Sequence, residues 1–259
     1  MTAAAVARAR ELLRAKNRRE EGCFLGEGRH VVADALAENA VVEAVFASHE
    51  SAERPEIAEL SDRAAAADAT IYVVTGRELL SICDTDTPQG IVAVVRFPDE
   101  PVAPFAQPGV WIVLDEVQDP GNVGTMLRAA EAFGARGALA TTGTADLFSG
   151  KVVRSAQGAH FRLALMPATE ERVDEFSAAG GALWAAVTGA ESVYDAPPAP
   201  PLVALALGNE IRGLSAPLLA RAARRVAVPQ RGRADSLNVA MAGSVLLSWM
   251  TERRGEDQR

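Results

Sequence analysis

Apolar and polar positions alternate along the first hundred residues in a way that predicts strands separated by helices. The apolar spacing predicts helices over residues 6–16, 30–39 and 55–67. Short runs rich in Val, Ile and Phe predict strands at residues 23–28, 41–47, 71–74 and 89–97. This alternation is typical of a small α/β domain.

A proline-rich stretch follows these elements. Residues 97–109 contain four prolines in thirteen residues, and proline resists both helix and central strand. An ordinary loop is the alternative, but the pattern restarts after the stretch, so we interpret it as a linker. The predicted organisation is an N-terminal domain over 1–98, a linker over 99–108 and a C-terminal domain over 109–259.

The pattern after the linker again alternates, and its strands are more continuously apolar. Strands are predicted at residues 110–117, 138–141, 182–187, 202–207 and 226–228. A helix over 123–133 is predicted to end at Gly134. Leu237, Met241, Val245 and Trp249 recur every four residues, which predicts a last helix with one buried stripe. Runs of Leu and β-branched residues favour a parallel sheet covered on both faces.

The composition is that of an ordinary globular protein. The chain has 259 residues, of which 49% are hydrophobic, and no apolar run comes near the roughly 18 residues of a membrane helix. Arg8 and Arg10 interrupt what would be the apolar core of a signal peptide. Cys23 and Cys83 are too few for a disulfide framework and lack metal-ligand spacing. We therefore expect a cytoplasmic protein with no membrane association and no metal site.

The charge is uneven along the chain. The net charge of −8 argues weakly against a nucleic-acid partner. Residues 1–22, however, contain six basic and three acidic side chains, a local charge of +3. This segment is either a solvated helix face or an RNA contact.

Polar segments follow three of the buried strands, where ligands bind in open parallel sheets, and the first two contain Gly and Asn just after the strand. After the first strand of the C-terminal half, Asp119 to Asn122 predict a turn, with Asn122 as helix N-cap and Arg128 on a face free for a ligand. After the strand at 202–207, Gly208 would allow close approach of the backbone to a ligand. Glu210 would then lie at the mouth of the cleft. Each segment alone also fits an ordinary turn.

Two further segments contain basic residues. At 226–238, Arg231 and Arg233 form a basic loop that could contact phosphate. Asp235 and Ser236 are predicted to cap the last helix, whose first amides could bind polar ligand atoms. At 148–158, the cations Lys151 and Arg154 could also reach phosphate. Without the other segments, both would be interpreted as charged surface loops.

Several familiar signatures are missing. The chain has no G-x-G-x-x-G after the right strand, no P-loop motif, no H-E-x-x-H and no G-x-S-x-G. His160 is the one histidine in the second half, and a lone histidine is more often structural than catalytic. Catalysis based on histidine is therefore not expected.

Taken together, these segments resemble the SpoU–TrmH family of RNA ribose methyltransferases, in the SPOUT superfamily. The D-P-x-N-x-G-x-x-x-R-x-A-x-x-F-G pattern spans Asp119 to Gly134. Lys151 to Gly158 read K-V-V-R-S-A-Q-G, which is similar to the family's K-V-V-R-x-S-x-G. The G-N-E-x-x-G-L-S pattern lies within 205–215, and S-L-N-V lies within 229–239. Upstream, Glu27 to His30 and the helix after them resemble the substrate-binding domain that many members have.

The resemblance implies an α/β fold with a C-terminal trefoil-knotted SPOUT domain. It also implies a smaller N-terminal α/β domain similar to ribosomal-protein RNA binders. Members use S-adenosylmethionine and are usually homodimers, so we expect methyl transfer to a ribose 2′-hydroxyl of structured RNA, with rRNA favoured over tRNA. The alternatives are a tRNA ribose methyltransferase and a non-catalytic RNA-binding homodimer. A nicotinamide-dependent enzyme and methyl transfer to an RNA base are less favoured, because the dinucleotide fingerprint is missing and the Asn122, Arg128 and Asn238 set favours ribose.

The resemblance also implies roles for individual residues. The expected catalytic residues are Arg128, Asn122, Glu210, Asn238 and Ser236, with Arg128 at the ribose hydroxyl as either base or electrostatic stabiliser. The expected donor-binding residues are Leu207, Gly208, Asn209, Val228, Pro229, Ser236, Leu237 and Asn238. The expected RNA-binding residues are Arg154, Lys151, Arg231, Arg233, Arg14, Lys16, Arg18 and Arg19. One departure is Gln230, where many members have methionine.

Overall fold

The computed structural model describes residues 2–233 and 236–253, which divide into two compact units. The first unit runs up to Asp99 and takes in Asp146–Phe161. The second comprises Glu100–Ala145 and the described residues from Arg162 onward. The segment 146–161, which the sequence pattern places in the C-terminal domain, thus packs with the first unit.

Helices and strands alternate through both units. The helices are α1 (Thr2–Glu11), α2 (Ala15–Glu21), α3 (Arg29–Ala37), α4 (His49–Ala52), α5 (Pro55–Ala66), α6 (Gly76–Leu80), α7 (Pro120–Ala132), α8 (Gly150–Ala156), α9 (Glu170–Ala178), α10 (Ala216–Arg221) and α11 (Val239–Arg253). The strands are β1 (Cys23–Glu27), β2 (Val42–Ser48), β3 (Thr70–Val74), β4 (Ile91–Arg96), β5 (Gly109–Asp115), β6 (Gly137–Ala140), β7 (Ala164–Pro167), β8 (Ala182–Ser192), β9 (Leu202–Gly208) and β10 (Arg224–Ala227).

The first unit is built on a mixed four-stranded sheet in the order β1-β4-β2-β3. β4 is antiparallel to both β1 and β2, whereas β3 is parallel to β2. The single helix predicted over 6–16 is wrong, because α1 ends at Glu11 and α2 begins at Ala15. The guanidinium of Arg18 donates to the carbonyl oxygens of Leu12 and Leu13, both at 2.8 Å, and so satisfies the backbone where the helix breaks.

Aromatic packing explains why the segment 146–161 belongs to the first unit. The ring of Phe24 on β1 lies 5.2 Å from that of Phe148 and 6.1 Å from that of Phe161. Val153 on α8 is buried in the same core. Burial of these side chains stabilises the segment against the sheet of the first unit.

The second unit contains a six-stranded sheet in the order β10-β8-β9-β5-β6-β7, and all its pairs are parallel. The predicted parallel sheet is confirmed, although β7, α9 and α10 were not predicted. The chain leaves β5 toward β6 on one side and leaves β9 toward β10 on the other. The loops after β5 and β9 therefore diverge from neighbouring strands, which is the switch point where open α/β sheets bind ligands.

Helix α11 buries Trp249 of the predicted stripe but not Met241. Met241 is 61% exposed, and the buried side chains include Leu246, Leu247 and Met250. A Cβ at Gly243 would lie 2.6 Å from the sulfur of Met126 on α7, so this glycine lets the two helices approach closely.

The proline-rich stretch is partly packed. Phe105 is buried, and its ring meets those of Trp111 and Phe176 edge-on at 4.9 and 5.2 Å. Phe105, which lies in the predicted linker, is therefore part of the core of the second unit.

Candidate active site

The turn after β5 positions Asn122 in a way that the sequence did not predict. Asp119, not Asn122, is the N-cap of α7, and its carboxylate accepts a hydrogen bond from the Asn122 amide at 2.8 Å. Pro120 occupies the first helical turn, where a missing N–H costs little. Because Asp119 caps the helix, the side chain of Asn122 is available for other contacts.

The start of α11 likewise differs from the prediction. Asn238 is the cap, since its Oδ1 accepts from the amides of Ala240 at 2.9 Å and Met241 at 3.2 Å. Asp235, one of the two predicted capping residues, lies outside the described residues. Ser236, the other, precedes the helix by three residues and is exposed.

A tight loop follows β9. The backbones of Asn209 and Gly213 exchange both hydrogen bonds, and the Oδ1 of Asn209 accepts from the amides of Ile211 and Arg212, each at 3.0 Å. A Cβ at Gly208 would lie 2.3 Å from the backbone carbon of Gly213. Glycine is therefore required at 208 by the loop itself, rather than only by an incoming ligand.

Three polar side chains from three different segments form a hydrogen-bonded chain. The Nδ2 of Asn238 donates to the Oδ1 of Asn122 at 2.9 Å, and the Nδ2 of Asn122 donates to Glu210 Oε1 at 2.8 Å. Residues more than a hundred positions apart thus meet where the loops after β5 and β9 diverge. Three of the five predicted catalytic residues are brought together here.

Polar groups at the end of β5 hold the loops that carry these three side chains. Asp115 at the end of β5 is 2% exposed and accepts from the amide of Ser215 at 2.6 Å and from Thr141 Oγ1 at 3.0 Å. Glu116 has a φ of 55°, and its carbonyl oxygen accepts from Asn209 Nδ2 at 2.9 Å. Its carboxylate pairs with Arg212. None of these supports was predicted; a polar pair ending a buried strand was the available signal.

A cavity of about 730 Å³ opens beside these three side chains, at the carboxyl ends of β9 and β10 and next to the middle of β8. Every predicted donor-binding residue except Pro229 lines it, and so does Gln230. Residues 186–188 in the middle of β8 also line the cavity, and they were missed because they contain no distinctive polar motif. Asn122 and Arg128 are not among the described lining residues.

Arg128 lies on α7, two turns beyond the start of the helix. Its side chain is exposed, while Val123, Leu127 and Ala130 are buried, as the apolar spacing predicted. No hydrogen bond joins it to the chain formed by Asn238, Asn122 and Glu210 in the described structure. Arg128 is therefore a solvent-accessible cation in the third turn of the same helix, and it is not among the residues that line the cavity.

The predicted RNA contacts of the second unit are exposed. Arg231 and Arg233 follow β10 in a segment without helix or strand. Their accessibility leaves both guanidinium groups able to meet phosphate oxygens.

The predicted RNA contacts of the first unit differ in accessibility. Arg14, Lys16, Arg19 and Lys151 are exposed. Arg18 is 5% exposed, and its guanidinium also pairs with Asp146 at 2.6 Å. Its position makes Arg18 a structural residue of the unit, which corrects its prediction as an RNA contact.

Arg154 is also engaged within the first unit. Its guanidinium donates to Glu27 at 2.9 Å and to Asp84 at 3.1 Å. Burial raises the pKa of the Glu27 carboxyl, while Arg154 and the Asp84 amide oppose that shift. A phosphate at Arg154 would have to compete with both carboxylates.

Two further predictions concern metal binding and membrane association. Among residues 2–233 and 236–253, no group of three or more His, Cys, Asp or Glu side chains is arranged to hold a metal ion. None of the helices in that part of the chain is long and apolar enough to cross a membrane.

The fold and site together define a class of protein. A parallel α/β sheet has a cavity at the carboxyl ends of its strands, lined by backbone and a few polar groups, which is typical of an enzyme that binds a nucleoside-containing small molecule. Residues 109–248 match the SpoU rRNA Methylase family, and residues 4–93 match the MRM3-like substrate binding domain. The chain belongs to the SpoU family of methyltransferases, as its motifs predicted.

Relatives match nearly the whole chain. The 23S rRNA (guanosine(2553)-2′-O)-methyltransferase RlmP of Bacillus subtilis is 34% identical over 90% of this chain and 90% of its own length. The crystal structure of an AdoMet-bound rRNA methyltransferase from Sinorhizobium meliloti is 28% identical, with a TM-score of 0.83 over 97% of this chain and 95% of that one. The SpoU methyltransferase AviRb from Streptomyces viridochromogenes, crystallised with AdoMet, has a TM-score of 0.88 over 98% of both chains. At 24% identity it shows the shared fold alone.

Proposed function

We propose that the protein transfers a methyl group from S-adenosylmethionine to a ribose 2′-hydroxyl of ribosomal RNA. The observation that carries the proposal is the polar chain of Asn238, Asn122 and Glu210 beside the cavity at the strand ends. The name of the Bacillus subtilis relative, which shares this length and layout, supports the ribosomal substrate. A cytoplasmic location goes with this proposal, because the RNA substrate is found there.

The residues of the cavity fit S-adenosylmethionine. Its volume of about 730 Å³ lies within the range of small-molecule sites. The lining is mixed: Leu207, Val228 and Leu246 offer apolar surface to an adenine ring, while Thr188, Ser236 and the strand-end backbone offer polar partners. When bound, the donor supplies an activated methyl group on a sulfonium centre.

The protein's own contribution is then positioning and charge. The reacting oxygen must approach the methyl carbon in line, and fixing that geometry lowers the barrier by removing orientational freedom. Asn238 and Asn122 lock the position of Glu210 at the cavity. Arg128, exposed on α7, stabilises negative charge on the ribose oxygen or an adjacent phosphate.

The same proposal includes the trefoil knot, the homodimer and the RNA-binding domain of the family. The segments at 208–214 and 228–238 would form the trefoil knot of SPOUT proteins, and Gly208, Val228 and Asn238 from these segments line one cavity. Met241 and Tyr194, 61% and 52% exposed, provide apolar surface in the second unit for a homodimer. The first unit would be the RNA-binding domain, similar to ribosomal-protein RNA binders, with Arg14, Lys16 and Arg19 exposed for phosphate.

A labelling experiment tests the reaction. The purified protein is incubated with radiolabelled S-adenosylmethionine and unmodified total RNA, which is sized and digested to nucleosides, and Arg128→Ala is treated in parallel. We expect label in a 2′-O-methylnucleoside from the rRNA size class, and its loss in the variant. Label in the tRNA size class would assign a different substrate, label in a methylated base would contradict ribose transfer, and no label together with no donor binding would refute the enzyme.

A further inference from the structure

Hydrogen-bond partners fix the orientation of the side-chain amides of Asn122 and Asn238. Asn238 must place its Oδ1 toward the amides of Ala240 and Met241, because these donors at the start of α11 have no carbonyl within the helix. Its Nδ2 therefore faces Asn122, which must present its own Oδ1. The Nδ2 of Asn122 is then the group that faces Glu210.

Because the hydrogen bonds run from Asn238 through Asn122 to Glu210, the carboxylate of Glu210 is the last acceptor in the series. A carboxylate can accept hydrogen bonds at both of its oxygens. Asn122 occupies Oε1, and Glu210 makes no other hydrogen bond among the described residues. The second carboxylate oxygen thus has free lone pairs while the side chain is held in place.

The position of Glu210 is also suitable for chemistry. It lines the cavity proposed for the donor, whereas Arg128 does not. The loop that bears it is fixed by the Asn209 and Gly213 backbone pair and by Asn209 Nδ2 on the Glu116 carbonyl. A ribose hydroxyl approaching the cavity mouth would therefore meet a carboxylate that the fold holds in one orientation.

The alternative base is Arg128. Arginine keeps its proton in proteins, so it serves poorly as a proton acceptor and well as a stabiliser of negative charge. No described carboxylate or amide orients it toward the cavity. Proton acceptance and the stabilisation of negative charge are therefore assigned to different side chains.

From this geometry we propose that Glu210 is the general base of the reaction, a proposal that rests on the proposed function. The ribose O2′–H bond breaks, and its proton passes to the free oxygen of the Glu210 carboxylate. O2′ forms a bond to the methyl carbon as the C–S bond breaks, and sulfur keeps the electron pair as a neutral thioether. Glu210 later releases the proton to water. Arg128 stabilises the developing charge without transferring a proton.

The test compares Glu210→Gln with wild type in single-turnover methyl transfer to the RNA found to be labelled, over about two pH units above neutrality. Glutamine still accepts from Asn122 but cannot take a proton. We expect the rate to fall by about 10²- to 10⁴-fold, donor affinity by calorimetry to stay within about threefold, and the residual rate to rise relative to wild type as hydroxide concentration increases. Glu175→Gln, which removes an exposed carboxylate of the same unit outside the cavity lining, is the matched control and should match wild type.

Chemical rescue separates a proton acceptor from a positioning residue. Formate should restore part of the activity of Glu210→Ala in proportion to its concentration and should not restore Arg128→Ala. Full activity of Glu210→Gln, loss of donor binding in parallel with rate, or absence of rescue together with an unchanged pH profile would each overturn the assignment. A wild-type protein that binds donor but methylates no RNA would refute the proposed function, whereas an active wild type with an active Glu210→Gln refutes only the base.

Discussion

His160 makes the stability of the first unit depend on pH in a predictable way. The side chain is fully buried, and its Nε2 lies 2.6 Å from the carbonyl oxygen of Leu147, to which it must donate. Its Nδ1 has no hydrogen-bond partner in the described structure. Acid would therefore have to place a buried charge at Nδ1, close to the ring of Phe148.

Burial lowers the pKa of His160 from 6.5 to about 4, and the Leu147 carbonyl and Asp146 only partly oppose this shift. A histidine with a lowered folded pKa contributes its full stability above the unfolded value of 6.5. That stability is lost as the pH falls toward the folded value, because only the unfolded chain takes up the proton. Between about pH 7.5 and pH 5 the expected loss is about 2 kcal/mol.

The assay is urea unfolding followed by far-ultraviolet circular dichroism at both pH values, with hydrogen exchange of β1 peptides to locate the effect. His160→Gln should be less stable at neutral pH but should lose about 2 kcal/mol less than wild type on acidification. His30→Gln, which removes an exposed imidazole, is the matched control. Identical pH dependence in wild type and His160→Gln would refute the reasoning.

Three further predictions concern single positions. Arg154→Met should lower the free energy of unfolding by about 2 kcal/mol, because Glu27 would remain buried without its cation. The control Arg14→Met breaks an exposed ion pair and should change the free energy of unfolding by less than about 0.5 kcal/mol. Equal losses in the two variants would contradict this account. Gly208→Ala should weaken S-adenosylmethionine binding by more than about tenfold in calorimetry, since the new Cβ meets loop backbone at 2.3 Å; unchanged affinity would show that the loop yields. Gln230→Met should change donor affinity by less than about threefold, because this cavity-lining residue is exposed to solvent. A larger gain in affinity would mean that Gln230 limits binding.

The periodic elements were predictable because their apolar spacing matches the side on which they are buried. The strands β2, β5 and β9 and the helix α7 agree with the prediction to within a few residues. The stripe predicted for α11 agreed only in part, since Trp249 is buried and Met241 is exposed. The close approach of Gly243 to Met126 is not revealed by apolar spacing. The helix over 6–16 failed because Arg18, several residues later, satisfies the carbonyls at its break.

The site was predictable as a set of residues but not as an arrangement. The motifs singled out Asn122, Glu210 and Asn238, and the structure joins them in one hydrogen-bonded chain. They did not reveal that Asp119 caps α7, which leaves the Asn122 side chain available. Nor did they reveal that Arg18 is buried in the first unit.

The sequence by itself determined the α/β class, the parallel sheet of the second unit and the family, because these follow from local periodicity and from short motifs in order. Only the tertiary structure decided which distant segments meet. It assigned residues 146–161 to the first unit, since burial of Phe148 and Phe161 against Phe24 depends on contacts across more than a hundred residues. It also fixed the direction of the chain that ends at Glu210, because each amide is oriented by a partner remote in sequence.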